Sequence, residues 1–86
     1  MYQVIISRTA EKQLESFPKQ IANTITAKID ALATNPHPHG SIKLEGSEKE
    51  YRIRSGDYRI IYRIENALLI IEVIRIAHRR DVYKKK

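Results

Sequence analysis

The stretch Tyr51-Arg52-Ile53-Arg54-Ser55-Gly56-Asp57-Tyr58-Arg59-Ile60-Ile61-Tyr62 constrains the fold more than any other part of this chain. Two strand-like runs flank a short turn at Ser55-Gly56, the pattern of a β-hairpin. A tight two-residue turn there sets Arg54 opposite Asp57, Ile53 opposite Tyr58 and Arg52 opposite Arg59. Successive side chains of a strand point to opposite faces. Arg52, Arg54 and Arg59 therefore share one face; Tyr51, Ile53, Tyr58, Ile60 and Tyr62 share the other. Two arginines directly opposite each other repel and weaken the sheet. A chain that keeps such a pair is expected to bind an anion there.

The rest of the chain reads as two helices and further strands. Tyr2 to Ser7 is short and β-branched, a first strand. Ser7 or Thr9 caps a helix running through Phe17, with Ala10, Leu14 and Phe17 on one face. Pro18 suits the first turn of a second helix, striped by Ile21, Ile25, Ile29 and Leu32. Asn35-Pro36-His37-Pro38-His39-Gly40 is a loop. Ile42 to Leu44 is a weak strand, and Leu68 to Ile76 is apolar on both faces, as in a central strand covered on each side. Helices followed by a run of strands predict an α+β domain over residues 1–86. In it, an N-terminal strand and a two-helix hairpin pack on an antiparallel β-sheet of about four strands. The helices take the Ile53, Tyr58, Ile60 and Tyr62 face, leaving the arginines exposed in a shallow basic concavity.

Composition narrows the partners. Lys and Arg total 16 against 10 Asp and Glu, a net charge of +6, which favours nucleic acid, the ribosome or an acidic protein. The absence of cysteine excludes disulfides, thiol chemistry and cysteine-ligated zinc, and suits the cytoplasm. No apolar run approaches the ~20 residues of a membrane helix, so no membrane partner is expected. With three glycines there is no P-loop and no dinucleotide fingerprint. His37 and His39 lack companion ligands for a metal.

Two groups of residues are candidates for chemistry. Arg52, Arg54 and Arg59 present permanently charged guanidinium forks that match phosphate oxygens. The plainer reading neutralises Arg54 with Asp57 and Arg59 with Glu72. The second group is His78-Arg79-Arg80-Asp81-Val82-Tyr83. There His78 and Tyr83 can exchange protons or, for Tyr83, stack on a base. This tail is expected to fold back over the arginine face. Arg80, Lys84, Lys85 and Lys86 would add salt-sensitive affinity for RNA phosphates.

Tyr51 to Tyr62, followed by Ile74-Arg-Ile-Ala-His-Arg-Arg-Asp-Val-Tyr83, resembles the RelE/ParE superfamily of toxin–antitoxin toxins. Ser7-Arg-Thr-Ala-Glu-Lys-Gln-Leu-Glu-Ser-Phe-Pro18 is similar to the helical hairpin of that family. The resemblance covers nearly the whole chain. It implies a cytoplasmic toxin held inactive by a cognate RelB-like antitoxin, the complex binding operator DNA through the antitoxin. For the RelE branch it implies an endoribonuclease without metal or cofactor that cleaves mRNA in the ribosomal A site. The 2′-hydroxyl attacks the adjacent phosphate, leaving a 2′,3′-cyclic phosphate and a 5′-hydroxyl. For the ParE branch it implies inhibition of DNA gyrase without nuclease activity.

The resemblance matches Arg59 to the arginine that contacts the scissile phosphate, Arg79 to a C-terminal active-site arginine and Tyr83 to a terminal tyrosine. Arg52 and Arg54 stand where several RelE toxins have lysines, and His78 where relatives have lysine or histidine. Arginine does not give up its proton, so Arg52 and Arg54 serve as electrostatic stabilisers rather than bases. The proton of the 2′-hydroxyl is expected to pass to His78, Tyr83, Glu50 or a group on the ribosome, with His78 first by pKa. A third reading is a basic RNA-binding module without catalysis.

Overall fold

The computed structural model describes residues 1–82. Strand β1 (Gln3–Ile6) leads into helices α1 (Arg8–Ser16) and α2 (Lys19–Ala31). Strands β2 (Ile42–Lys43), β3 (Glu50–Ser55), β4 (Tyr58–Glu65) and β5 (Ile70–His78) follow, and a short helix α3 (Arg79–Val82) continues from β5. The five strands form one mixed sheet in the order β1-β5-β4-β3-β2. The expected α+β architecture is present. The N-terminal strand is itself a member of the sheet, paired parallel to β5, while the other pairs are antiparallel.

Ser7 starts α1. Its hydroxyl oxygen accepts from the Ala10 N–H at 3.1 Å, which satisfies one of the free amides of the first turn. The same hydroxyl donates to the Ile74 carbonyl at 2.6 Å, and Gln13 Oε1 accepts from the Ile76 N–H at 2.7 Å. Strand β1 stops at Ile6, opposite Val73. Beyond that point the side chains of the first helix take over hydrogen bonding to the edge of β5.

Both helices cover one face of the sheet. Ala10, Ile25, Ile29 and Leu32 are fully buried against Ile60, Tyr62, Ile71 and Val73. Burial of such aliphatic side chains contributes about 1.5–3 kcal/mol each. The expected separation of the hairpin into an apolar and a cationic face therefore holds.

The apolar run of strand β5 predicts a strand covered on both sides. A β-bulge interrupts it: Tyr62 pairs with Val73 while Ile61 pairs with Arg75, leaving Ile74 as the extra residue. A bulge exchanges the faces of all residues beyond it. Ile71 and Val73 before it and Ile76 after it all reach the core. The change of phase accounts for part of the composition, and Ala77 is buried on the other face beside Arg59, so the hairpin end of β5 is covered on both sides.

Candidate functional site

The hairpin turn is one residue later than Ser55-Gly56. Ser55 pairs with Tyr58, Arg54 with Arg59, Ile53 with Ile60 and Arg52 with Ile61. Gly56 and Asp57 form the two-residue loop, and Gly56 has φ +60 while Asp57 stays at negative φ. Glycine at the first central position is what a type II′ hairpin requires. The pairing shifts by a whole pleat period, so every side chain keeps its face. The opposed arginines are Arg54 and Arg59, not Arg52 and Arg59, and Asp57 lies in the turn rather than across from Arg54.

The face of the sheet away from the helices carries a cationic row at its hairpin end, beside the buried Ile61 and Ala77. Arg54 lies opposite Arg59, and Arg59 is next to Ala77 on β5. In the adjacent row Ile61 separates Arg52 from Arg75. Arg54 and Arg75 are exposed and Arg52 is half-buried. Arg59, expected to be exposed, is only 8% exposed. Among the described residues its Nη1 donates to the Tyr58 carbonyl at 3.5 Å. The expected neutralising partner, Glu72, lies opposite Arg63 instead. Among the described residues the ion pairs are Lys49–Glu65 at 3.1 Å and Arg63–Glu65 at 3.6 Å, both at the far end of the sheet.

A buried cation costs free energy unless it is paired, and a like charge across the strand adds to the cost. Replacing Arg54 by Gln is therefore expected to stabilise the fold by about 0.2–1 kcal/mol, seen as a higher urea midpoint. The same substitution should weaken anion binding. A destabilised Arg54→Gln protein would show that this pair does not oppose folding.

The remaining candidates divide between the two faces. The bulge turns His78 to the helix side, opposite Tyr58 in the ladder. Its ring meets Tyr58 edge-on at 5.4 Å, and Tyr58 packs on Phe17 at 4.8 Å. His78 Nδ1 accepts the Arg80 N–H at 3.2 Å. His78, ranked first among the candidate bases by pKa, thus lies on the opposite face of the sheet from the arginines. Arg79 lies at the hairpin end of the sheet, tied by its N–H to the Asp57 carbonyl at 2.6 Å. Arg79 and Arg80 are exposed. Glu50 shares the arginine face, opposite Arg63. It is four residues from Arg54 along β3, roughly 13 Å. Tyr83, Lys84, Lys85 and Lys86 lie outside the described residues, as does any folding of the tail over the sheet. Sequence reasoning passed over Arg75. The one signal for it was a lone cation inside an otherwise apolar strand.

A cavity of about 460 Å³ opens where β2 ends and the edge of β3 is bare. Arg52, Arg54 and Arg59 line one side of it; Lys28 of α2 and His39 line the other. The loop that carries His39 is anchored from below. The buried Tyr62 hydroxyl donates to the Pro36 carbonyl at 2.8 Å, and the His37 ring stands edge-on to Tyr51 at 4.9 Å. Tyr51 in turn stacks on Tyr62 at 5.9 Å. No group of three or more potential metal ligands occurs among the described residues.

Burial pushes the Tyr62 phenol up from 10.0 to about 12, opposed in part by a hydrogen bond with Ser41. The unfolded chain gives up this proton near pH 10, before the folded protein does. Stability from this group is thus complete below pH 10 and falls as pH rises towards 12, by on the order of 2–3 kcal/mol. Urea midpoints at pH 9, 10.5 and 11.5 should decline more steeply for the parent than for Tyr62→Phe. Parallel declines would contradict the assignment.

The fold and this face define a small basic α+β protein whose sheet presents arginines that no described carboxylate neutralises. Comparisons with known proteins agree. A family model described as the ParE toxin of type II toxin–antitoxin systems matches residues 4–83. The toxin RelE of Mycobacterium tuberculosis is 33% identical over 84 residues, spanning 96% of this chain and 87% of that protein. A chain in the crystal structure of the archaeal RelE–RelB complex from Pyrococcus horikoshii superposes with a TM-score of 0.81 at 34% identity, covering 91% of this chain and 94% of that one. The isolated Escherichia coli RelE toxin shares the fold, with a TM-score of 0.79 at 19% identity over 91% of this chain and 84% of that one. The chain belongs to the RelE/ParE superfamily and is a RelE-family toxin of a type II toxin–antitoxin system. No helix among the described residues is long and apolar enough to cross a membrane.

Proposed function

We propose that this toxin is a ribosome-dependent mRNA endonuclease and that the arginine row is where it holds the scissile phosphate. The observation that carries this reading is Arg59, a largely buried cation opposite Arg54 with no carboxylate partner among the described residues. A phosphate between the two guanidinium groups neutralises both and uses their donor forks. In the reaction the 2′-oxygen forms a bond to phosphorus and the bond to the 5′-oxygen breaks. Negative charge grows on the phosphoryl oxygens, and fixed cations stabilise that charge more than the ground state. The arginines do not accept the 2′-hydroxyl proton. With His78 on the other face, that proton passes to a group outside the arginine row, on the C-terminal tail or the ribosome, and the departing 5′-oxygen takes up a proton from water to become the 5′-hydroxyl.

A RelB-like antitoxin is the partner this reading implies, since the archaeal relative was solved as a RelE–RelB complex. An acidic antitoxin segment would be drawn to a surface of net charge +6. It would block the RNA site by occupying it, and the complex would reach operator DNA through the antitoxin. Brief induction of this chain followed by primer extension on an abundant mRNA tests the reading. Discrete breaks inside translated codons are expected. Growth arrest without breaks would point to gyrase, and no arrest would leave a binding module.

A further inference from the structure

We infer that the cavity at the bare edge of β3 is a second nucleotide subsite, in which Lys28 and His39 hold the phosphate next to the scissile one. This inference rests on the RNA-cleaving reading of the arginine row and extends the RNA track beyond it. The first argument is charge. Every ionisable side chain lining the cavity is basic: Lys28 from α2, His39 from the loop, Arg52 and Arg54 from β3, and Arg59 from β4. A cavity with no acidic lining selects an anion. The second argument is size. About 460 Å³ lies within the range of small-ligand pockets and accommodates one nucleotide.

The third argument is placement. Strand β2 and Leu44 cover β3 from Glu50 to Arg52, so the edge beyond, towards the hairpin turn, joins the arginine face to the end of α2. An RNA strand whose scissile phosphate lies between Arg54 and Arg59 meets this opening next. Its neighbouring phosphate then falls among Lys28, His39 and Arg52. The loop is held for this by the Tyr62–Pro36 hydrogen bond and the His37–Tyr51 contact, which point to a preformed wall.

The lysine contact adds a salt dependence, because each phosphate neutralised on a single strand steepens the slope of log K against log salt by about 0.7.

The test is fluorescence anisotropy of the full chain with a short 2′-O-methyl RNA, which binds but does not cleave. Lys28→Gln should weaken binding roughly fivefold at low salt and flatten the salt slope by about 0.7. His39→Gln should weaken binding at low salt roughly twofold, through loss of a ring N–H contact to phosphate. Lys12→Gln, on the exposed face of α1, should change neither slope nor affinity. Lys28 and His39 are both exposed, so these variants keep the fold. The inference is overturned if Lys28→Gln and His39→Gln match the parent in slope and affinity while Arg59→Met no longer binds. Failure of the parent itself to bind RNA would overturn the RNA reading of the whole face. An acidic peptide that binds more tightly than RNA, with the same sensitivity to Lys28 and His39, would assign the cavity to a protein partner instead.

Discussion

Removing the Arg59 guanidinium is expected to lower RNA cleavage by roughly 100- to 1,000-fold, the range for loss of one preorganised charge-stabilising donor. Because Arg59 is only 8% exposed, alanine would also leave a gap beneath Arg54 and beside Ala77. Arg59→Met fills most of that space without the charge and isolates the chemical contribution. Arg59→Lys keeps the charge but loses the planar fork, so it should fall between the parent and Arg59→Met. Stability should change little in Arg59→Met, since the unfavourable opposition to Arg54 is removed along with some packing. Primer extension on mRNA from induced cells, with thermal melts on the purified variants, reads both effects. Parent-like cleavage by a folded Arg59→Met protein would sink the assignment of the scissile phosphate to this row.

The largest effect on stability is expected at Tyr62. It is fully buried at the centre of the sheet and its hydroxyl holds the Pro36 carbonyl. Tyr62→Ala should cost about 3–5 kcal/mol through lost contacts and the cavity left behind. Domains of this kind have only ~5–15 kcal/mol in total. A melting temperature lower by about 15 °C or more is expected. Tyr62→Phe keeps the ring and loses only the hydrogen bond, so its cost should be nearer 1–2 kcal/mol, the price of an unpartnered carbonyl. If the two variants melted together, the hydroxyl rather than the ring would dominate. That result would contradict the core placement of this residue.

Much of this architecture was legible in local patterns. Ser7 before the first helical residue, and the stripe of Ile21, Ile25, Ile29 and Leu32, are signals that act over one or two turns. The alternation in the hairpin marked which residues face the core. It survived even though the turn was placed one residue early. The true register displaces the pairing by two positions along one strand, and side chains repeat with that same period. Gly56-Asp57 was in principle readable as a type II′ loop, since glycine belongs at its first position. Ser-Gly was a competing turn, and only the pairing observed across the strands separates them.

The sequence alone determined that a cationic and an apolar face exist and which hairpin arginines share the cationic one. That information is held in strand periodicity, a property of neighbours along the chain. Tertiary structure decided what those residues meet. The bulge at Ile74 is invisible in an apolar run, because isoleucine suits either face. Yet it sends Arg75 outward and His78 inward, where the ladder of β5 would otherwise have done the reverse. The short β2 likewise leaves an edge of β3 open, so Lys28 and His39 meet the hairpin arginines across 13 to 31 residues of chain. Such meetings depend on where strands end and pair, which packing of the whole sheet against its helices settles.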